Sequence, residues 1–425
     1  MGYGHLRPAR AIAKQLGTQV MHADRPPLAD VEEQRRWQAT RRFYETITRV
    51  SSLAVVGTPL RLLLNSITDI PNLHPFRDLS GATLGVKLLE HSARNGLGRS
   101  LVAYLQERNL ALVTTFYSPA TFADFHGYDR IFCVVTDSDI NRVWAPLNPK
   151  SSKIYYFAPS GRAVRRLRSY GVSPNQIELT GFPLPHSLVG GPEAPALVQN
   201  LVRRLVRLDP KGVFRRQFAG DLEPLGTLPE VAEPPRLAFA VGGTGAQAEL
   251  TGLFLPSLKQ LLLDKKLCLT LVAGVRDDVR ARFEHELFRT GLSSELGKSI
   301  DILHEPDLDR YFDRFDALLA ETDVLWTKPS ELVFYAGLGI PLLLAPPVGI
   351  HESYNLRWVR ENGAGLKQRD PRVVGERIQE HLSDGNLAAA AWAGYRRLPN
   401  RGLYRIAERL ESGTTVHGPV STLQL

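Results

Sequence analysis

Four short stretches of this 425-residue chain gather the residue types that chemistry needs. In "AFAVGGTGAQAEL" a strand-like run ends in Gly242, Gly243, Thr244, Gly245 and Ala246, and a helix-like run follows. Glycines let a backbone come close to an anion, and a helix N-terminus offers free N–H groups with a favourable dipole. The loop therefore suits a diphosphate, although the same residues would also make a tight turn that needs positive φ. It lacks the P-loop lysine, which argues against Walker-type ATP hydrolysis. In "CVVTDSDINRVW", Thr136, Asp137, Asp139, Asn141 and Trp144 follow an apolar run. Carboxylates at a strand end serve as a general base, a sugar-hydroxyl acceptor or a metal ligand, or they simply cap the next helix.

The third stretch, "DVLWTKPSELVFYAGLGIPLLLAPPVGIHESYNLRW", holds Lys328, Ser330 and Glu331 where a helix would open, then His351, Glu352 and Asn355. Lys328 could neutralise phosphate charge, and Glu352 and Asn355 would share one helix face. Capping is the plainer role for these polar residues. The fourth is the opening "MGYGHLRPARAIAKQLG", where Gly2, Gly4 and His5 read as a loop that should follow a strand, yet only Met1 precedes it. His5 could act as a base or as a donor to a developing oxyanion, or be a surface cap.

The elements that must position these loops alternate between helix and strand. "PARAIAKQLG" reads as helix, "TQVMHA" as strand and "DVEEQRRWQATRRFYETITRV" as a charged helix. Strands follow at "ALVTTF", "RIFCVV", "KIYYFA" and "QIEL", with the helix "GRAVRRLRSYG" between the last two. Such alternation argues for parallel βαβ units covered on both faces. Residues 191–234, with "ALVQNLVRRLVRL" and the proline-rich "LEPLGTLPEVAEPPR", suit a connecting segment. A second series runs through the strands "RLAFA", "LCLTLVAG", "IDILH", "DVLWT" and "IPLLLAP", separated by helices that include one near 330–338. The expected organisation is an N-terminal domain over 1–190, a C-terminal domain over 235–395 and a helical tail over 396–425. The expected fold class is α/β, with two tandem doubly wound, Rossmann-like domains and a cleft between them, where ligands bind beyond the strands' carboxyl ends.

Composition narrows the classes. Hydrophobic residues make up 43% and charged residues 23%, as in ordinary globular proteins. Cys133 and Cys268 sit far apart in apolar runs and read as buried thiols, which fits a reducing cytoplasm. No stretch reaches the roughly 18 to 20 apolar residues that span a bilayer. The net charge is +8 and uneven: residues 1–190 carry 23 Lys and Arg against 14 Asp and Glu, and the rest is near neutral. A basic half suggests a membrane surface, a phosphorylated substrate or nucleic acid as partner, or only a solubilising surface. No nucleic-acid reading motif is present, so no nucleic-acid partner is expected.

Taken in order, these segments resemble the GT-B glycosyltransferases of the group containing the bacterial lipid-linked N-acetylglucosaminyltransferase of peptidoglycan synthesis, the plant galactolipid (monogalactosyldiacylglycerol) synthases and the bacterial diacylglycerol glucosyltransferases. "GYGHLRPA" resembles their glycine-rich N-terminal loop, and "VVTDSDINRVW" their Thr-Asp…His…Trp stretch, with Asn141 where the His usually stands. The Gly181-Phe182-Pro183 turn resembles the end of their first domain. "GGTGAQ" resembles the donor-phosphate loop, "LVAGVRDD" the following strand and turn with Arg276, and "TKPSELVFYAGLGIP…HESYN" the donor-side elements. The family's ribose-binding Glu falls at Phe334 here, with Glu331 one turn earlier; Phe334 and Tyr335 could also be plain core.

The resemblance implies transfer of a sugar, of hexosyl or N-acetylhexosaminyl type, from a nucleotide diphosphate-sugar such as a UDP-sugar to an acceptor hydroxyl. It implies inversion, with no cofactor and no essential metal. Gly242, Gly243, Thr244, Gly245 and Arg276 would hold the diphosphate, and Lys328, Ser330, Glu331, His351, Glu352 and Asn355 the sugar or ribose. Gly2, Gly4, Asp139 and Asn141 would face the acceptor, with His5 or Asp137 as the base. The mixed basic, aromatic and apolar run over 35–64 suggests a lipid acceptor and peripheral attachment to an anionic membrane, at its cytoplasmic face. A strand precedes the GxGH loop in this family, so some 8–12 apolar residues are expected upstream of Met1 in the native protein. Two other readings share the fold: a sugar-nucleotide epimerase, and a non-catalytic binding or scaffold protein, which Phe334 and Asn141 favour.

Overall fold

The computed structural model describes residues 2–51, 69–229, 233–243, 245 and 247–412. They fall into two compact units, Pro8–Phe182 with Arg405–Leu425, and Met1–Arg7 with Pro183–Tyr404. The N-terminal unit contains most of α1 (Tyr3–Gln15), then α2 (Val31–Ser51), α3 (Leu84–Arg94), α4 (Arg99–Glu107), β1 (Leu112–Thr114), α5 (Tyr117–Phe125), β2 (Ile131–Val134), β3 (Ile154–Ala158), α6 (Gly161–Ser169) and β4 (Ile177–Leu179). The strands form one parallel sheet in the order β1-β2-β3-β4. Every residue of β3, "IYYFA", is buried, the continuous apolar pattern of a strand covered on both faces.

Two local expectations are corrected here. The "GYGH" loop is not a loop: Tyr3, Gly4 and His5 form the first turn of α1, and the His5 amide donates to the Gly2 carbonyl at 3.2 Å. "TQVMHA" is not a strand among the described residues; Val20 and Met21 are exposed. Apolar composition makes a strand only where a neighbour completes its hydrogen bonds, and no described strand pairs with this run.

The C-terminal unit contains α7 (Pro195–Arg207), β5 (Arg236–Ala240), α8 (Thr251–Leu263), β6 (Cys268–Gly274), α9 (Asp277–Thr290), β7 (Ile300–His304), α10 (Leu308–Glu321), β8 (Val324–Thr327), a 3₁₀ helix (Glu331–Leu338), β9 (Leu342–Leu344), α11 (Ile350–Glu361), β10 (Gly365–Lys367), α12 (Val374–Ser383) and α13 (Asn386–Arg397). Its six strands are all parallel, in the order β10-β9-β8-β5-β6-β7. The chain winds outward from β5 to β7, then returns to the other side of β5 with β8. That reversal is a topological switch point, the place where such sheets bind ligands. This unit is a doubly wound, Rossmann-like domain.

Its core is built on Trp326 of β8, whose ring packs on Phe254 at 4.5 Å and Phe239 at 5.2 Å, while its indole N–H donates to Gln368 Oε1 at 2.7 Å. Leu201 and Leu205 of α7, with Leu208 and Phe214, belong to the same apolar cluster. Residues 191–234 are thus no mere connection. Their apolar face completes the core, and Arg204 donates to the carbonyls of Thr322 and Leu338. At the other end, Arg409 of the last helix, α14 (Gly402–Glu411), pairs with Glu178 at 3.6 Å and lies over the Tyr155 ring, so the tail divides between the units.

The helix near 330–338 is 3₁₀ and wholly buried. Gly394 of α13 lies so close that a Cβ there would stand 2.3 Å from the Ala336 carbonyl oxygen. Gly394→Ala is expected to cost about 1–3 kcal/mol, the usual penalty for overpacking, read as a lowered melting temperature.

Asp323, just before β8, is fully buried; it accepts the Arg236 amide at 2.9 Å and lies 3.6 Å from Arg207. Burial pushes its carboxyl up to about 6, against the nearby Arg204 and Arg207. The folded state therefore keeps a proton that the unfolded chain releases. Stability falls as pH rises from about 4 to 6 and the loss is complete above that, an effect on the order of 3 kcal/mol. Urea titrations of Asp323→Asn against the parent should show the variant gaining relative stability across that window.

Candidate functional site

Four loops leave the carboxyl ends of β5, β6, β8 and β9 in the C-terminal unit. After β5, Gly242 and Gly243 open a turn closed by the Gly245 amide donating to the Gly242 carbonyl at 2.7 Å. Gly245 has φ +76°, and a Cβ there would stand 2.9 Å from Val279 and 3.3 Å from Arg276 Nε, so only glycine fits. Thr244 lies outside the described residues. Gln247 ties the loop to the β9–α11 loop by donating to the Pro346 carbonyl at 2.9 Å. A 3₁₀ turn, Ala248–Leu250, leads from it into α8.

Lys328 follows β8, across the switch point. Its Cε lies 2.8 Å from where a Cβ on Gly242 would be, so the lysine stem runs against the glycine loop. Its ammonium donates to Glu352 Oε1 at 2.7 Å, and Glu352 Oε2 accepts the Val348 amide at 2.7 Å. Burial works against charge on Glu352, but Lys328, the Val348 amide and His351 together hold its carboxyl below the usual range. A partly exposed ammonium thus stands beside exposed backbone at Gly243. The ammonium's charge is already met by Glu352.

Around this pair, Arg276 precedes α9 and is held in a fork by Asp278, at 2.9 and 2.6 Å. Ser330 caps the 3₁₀ helix with its carbonyl but makes no side-chain cap bond. Asn355 is fully buried and donates to the Pro329 carbonyl at 3.2 Å, which makes it a brace between α11 and the β8 loop. His351 is exposed at the start of α11. Phe334 is core, its ring 5.1 Å from Trp358.

Glu331 opens the 3₁₀ helix, buried, with Oε1 3.4 Å from Arg7 Nε. Its Oε2 lies 3.1 Å from where a Cβ on Gly4 would stand. Gly4, expected to face the acceptor, thus lies against Glu331. Tyr3, in the same turn, lies 3.3 Å from the Cβ position of Gly243. The sequence reading missed both Tyr3 and Arg7, since nothing in "GYGHLR" announces partners some 240 to 324 residues away. Gly2 is exposed and His5 half-buried.

In the N-terminal unit, Asp137, Asp139 and Asn141 follow β2. Asp137 is half-buried, and Asn141 caps a 3₁₀ turn through its carbonyl, which accepts the Trp144 amide at 3.3 Å. Asp139 has no exposed surface and is gripped by Arg162 and Arg166. Its expected place facing the acceptor gives way to that of a structural counter-ion. Among the described residues no group of three or more His, Cys, Asp or Glu is placed to hold a metal ion, and no helix is long and apolar enough to cross a membrane. Residues 52–64 of the expected membrane-facing run lie outside the described residues.

The chain resembles several solved structures. A UDP-GlcNAc 2-epimerase from Neisseria meningitidis, solved bound to UDP-GlcNAc, is 11% identical, with 77% of this chain and 82% of that one covered and a TM-score of 0.43. HepE from Anabaena, solved with UDP and glucose, is 15% identical over 80% of this chain and 93% of that one, with a TM-score of 0.41. A glycosyltransferase from Rickettsia africae is 10% identical over 77% and 81%, with a TM-score of 0.41. At TM-scores below 0.5 these likenesses favour no particular substrate or reaction. No family model and no curated protein matches the chain.

Proposed function

We propose that this protein is a glycosyltransferase whose C-terminal unit binds a nucleotide diphosphate-sugar. The observation that carries the reading is Lys328 lying against Gly242 where β5 and β8 meet, an ammonium beside a glycine-lined backbone at a switch point. Gly242, Gly243 and Gly245, with Lys328 and Arg276, take the diphosphate; Glu331 takes hydroxyls of the sugar or ribose. As the acceptor oxygen attacks the anomeric carbon, the nucleoside diphosphate leaves and its charge is met by loop amides and Lys328. His5 or Asp137 receives the acceptor proton. The basic N-terminal half favours an acceptor at an anionic lipid surface.

The test is a calorimetric titration with UDP, GDP, ADP and dTDP and their sugar conjugates, followed by an acceptor screen with the nucleotide that binds. Selective binding of one nucleotide, and sugar transfer that needs an acceptor, are expected. Conversion of the donor without acceptor would make the protein an epimerase, and binding without turnover a scaffold. No binding of any nucleotide would overturn the donor reading.

A further inference from the structure

Arg7 is a buried charge in the C-terminal unit. Its side chain is 5% exposed, and its guanidinium is boxed by rings, 4.1 Å from the centroid of Phe315, 5.0 Å from Phe312, 5.4 Å from Tyr311 and 5.5 Å from Tyr3. Nη2 donates to the Tyr311 hydroxyl at 3.0 Å, while Nε and Nη1 are buried without a hydrogen-bond partner. Leaving a guanidinium so poorly satisfied is costly unless its charge is needed where it stands. Two acidic side chains act on it, Glu331 and Asp316; Glu331, 9% exposed, has its Oε1 3.4 Å from Arg7 Nε. On the far side of that carboxylate the chain carries Gly4, and any side chain there would crowd Oε2.

These features fit together as one device. A carboxylate receives two neighbouring hydroxyls well when it is ionised, its plane is fixed and one oxygen is uncovered. Arg7 places a positive charge 3.4 Å from Oε1, the aromatic box surrounds Arg7, and the lack of a side chain at Gly4 leaves room beside Oε2. We propose that Arg7 is a positioning residue that sets Glu331 to read a vicinal diol on the nucleotide-sugar, so that the first turn of α1 is part of the donor site. This rests on the donor reading above, and the diol is that of the ribose or of the transferred sugar.

The experiment is calorimetry on the full chain with UDP, GDP and ADP, their 2′-deoxy forms and the matching glucose conjugates. The proteins compared are the parent, Arg7→Met, Arg7→Lys, Glu331→Gln, Tyr311→Phe and the Arg7→Met/Glu331→Gln double variant. The parent is expected to prefer the diol-bearing ligand by roughly tenfold or more, the size of a hydrogen bond to a charged group. Arg7→Met and Glu331→Gln each abolish that preference by weakening the diol-bearing ligand more than the deoxy ligand, and the double variant is no worse than either. Arg7→Lys restores part of it, and Tyr311→Phe, which keeps the charge, lowers it; those two also decide the matter should Arg7→Met not fold. Loss confined to the 2′-hydroxyl comparison assigns the ribose, and loss confined to the glucose conjugates assigns the sugar; both support the proposal. An unchanged preference in the Arg7 variants, or equal weakening of every ligand, overturns it and leaves the donor reading standing. Failure of the parent to bind any of the nucleotides overturns the donor reading first.

Discussion

An Asp139→Ala protein is expected to lose about 3–5 kcal/mol of stability in its N-terminal unit, the usual cost of removing one partner from a buried ion pair. Both carboxylate oxygens are in use. Oδ1 accepts from Arg166 Nε at 2.8 Å and from the Ile140 amide at 3.0 Å; Oδ2 accepts from Arg166 Nη2 at 3.0 Å and Arg162 Nε at 2.7 Å. Arg166 is itself fully buried, so the alanine variant would strand a guanidinium in the core beside Tyr170. Denaturant unfolding of the variant should show an early transition for this unit. If Asp139 instead faced an acceptor, the variant would fold like the parent and lose only activity, so the two measurements together separate the roles.

Lys328→Met is expected to weaken binding of the nucleoside diphosphate about a hundredfold, or about 2.7 kcal/mol. The figure follows from removing one charge-assisted contact in a partly buried site. The substitution has a second consequence, because Glu352 then loses its cation while staying buried. Stability should drop as well, by raising the carboxyl of Glu352 and loosening the Val348 contact. The double variant Lys328→Met/Glu352→Gln distinguishes the two effects: urea melts should recover much of the stability, while titration with the nucleotide should show no recovery of affinity. Recovery of both would mean that Lys328 acts only through Glu352.

Some of this was legible in one dimension. "RLAFA", "LCLTLVAG" and "DVLWT" are unbroken apolar runs, and a strand buried on both faces must look that way; the glycines after the first must allow a backbone that other residues forbid. The two-unit parallel α/β class and the loops at the strands' carboxyl ends follow from such local rules. Other elements gave weak local signals. "YSPATFADF" is a helix because its buried face meets α3 and β2, and the three residues of β10 are a strand only because β9 lies beside them. "TQVMHA" has the composition of a strand and, among the described residues, no partner.

The roles of individual polar residues depended on tertiary structure throughout. Asp139 could have been a ligand or a cap by its chemistry, yet two arginines more than twenty residues downstream make it a buried counter-ion. Glu331 and Asn355 could both have been ligands or caps; folding sets one against Arg7 and braces the other against Pro329. The sequence by itself determined where strands end in glycine or a charged side chain, because backbone sterics and apolar periodicity are properties of neighbours in the chain. Only the tertiary structure decided which of those charges are satisfied and which remain available, because burial and ion pairing join residues that the chain keeps tens to hundreds of positions apart.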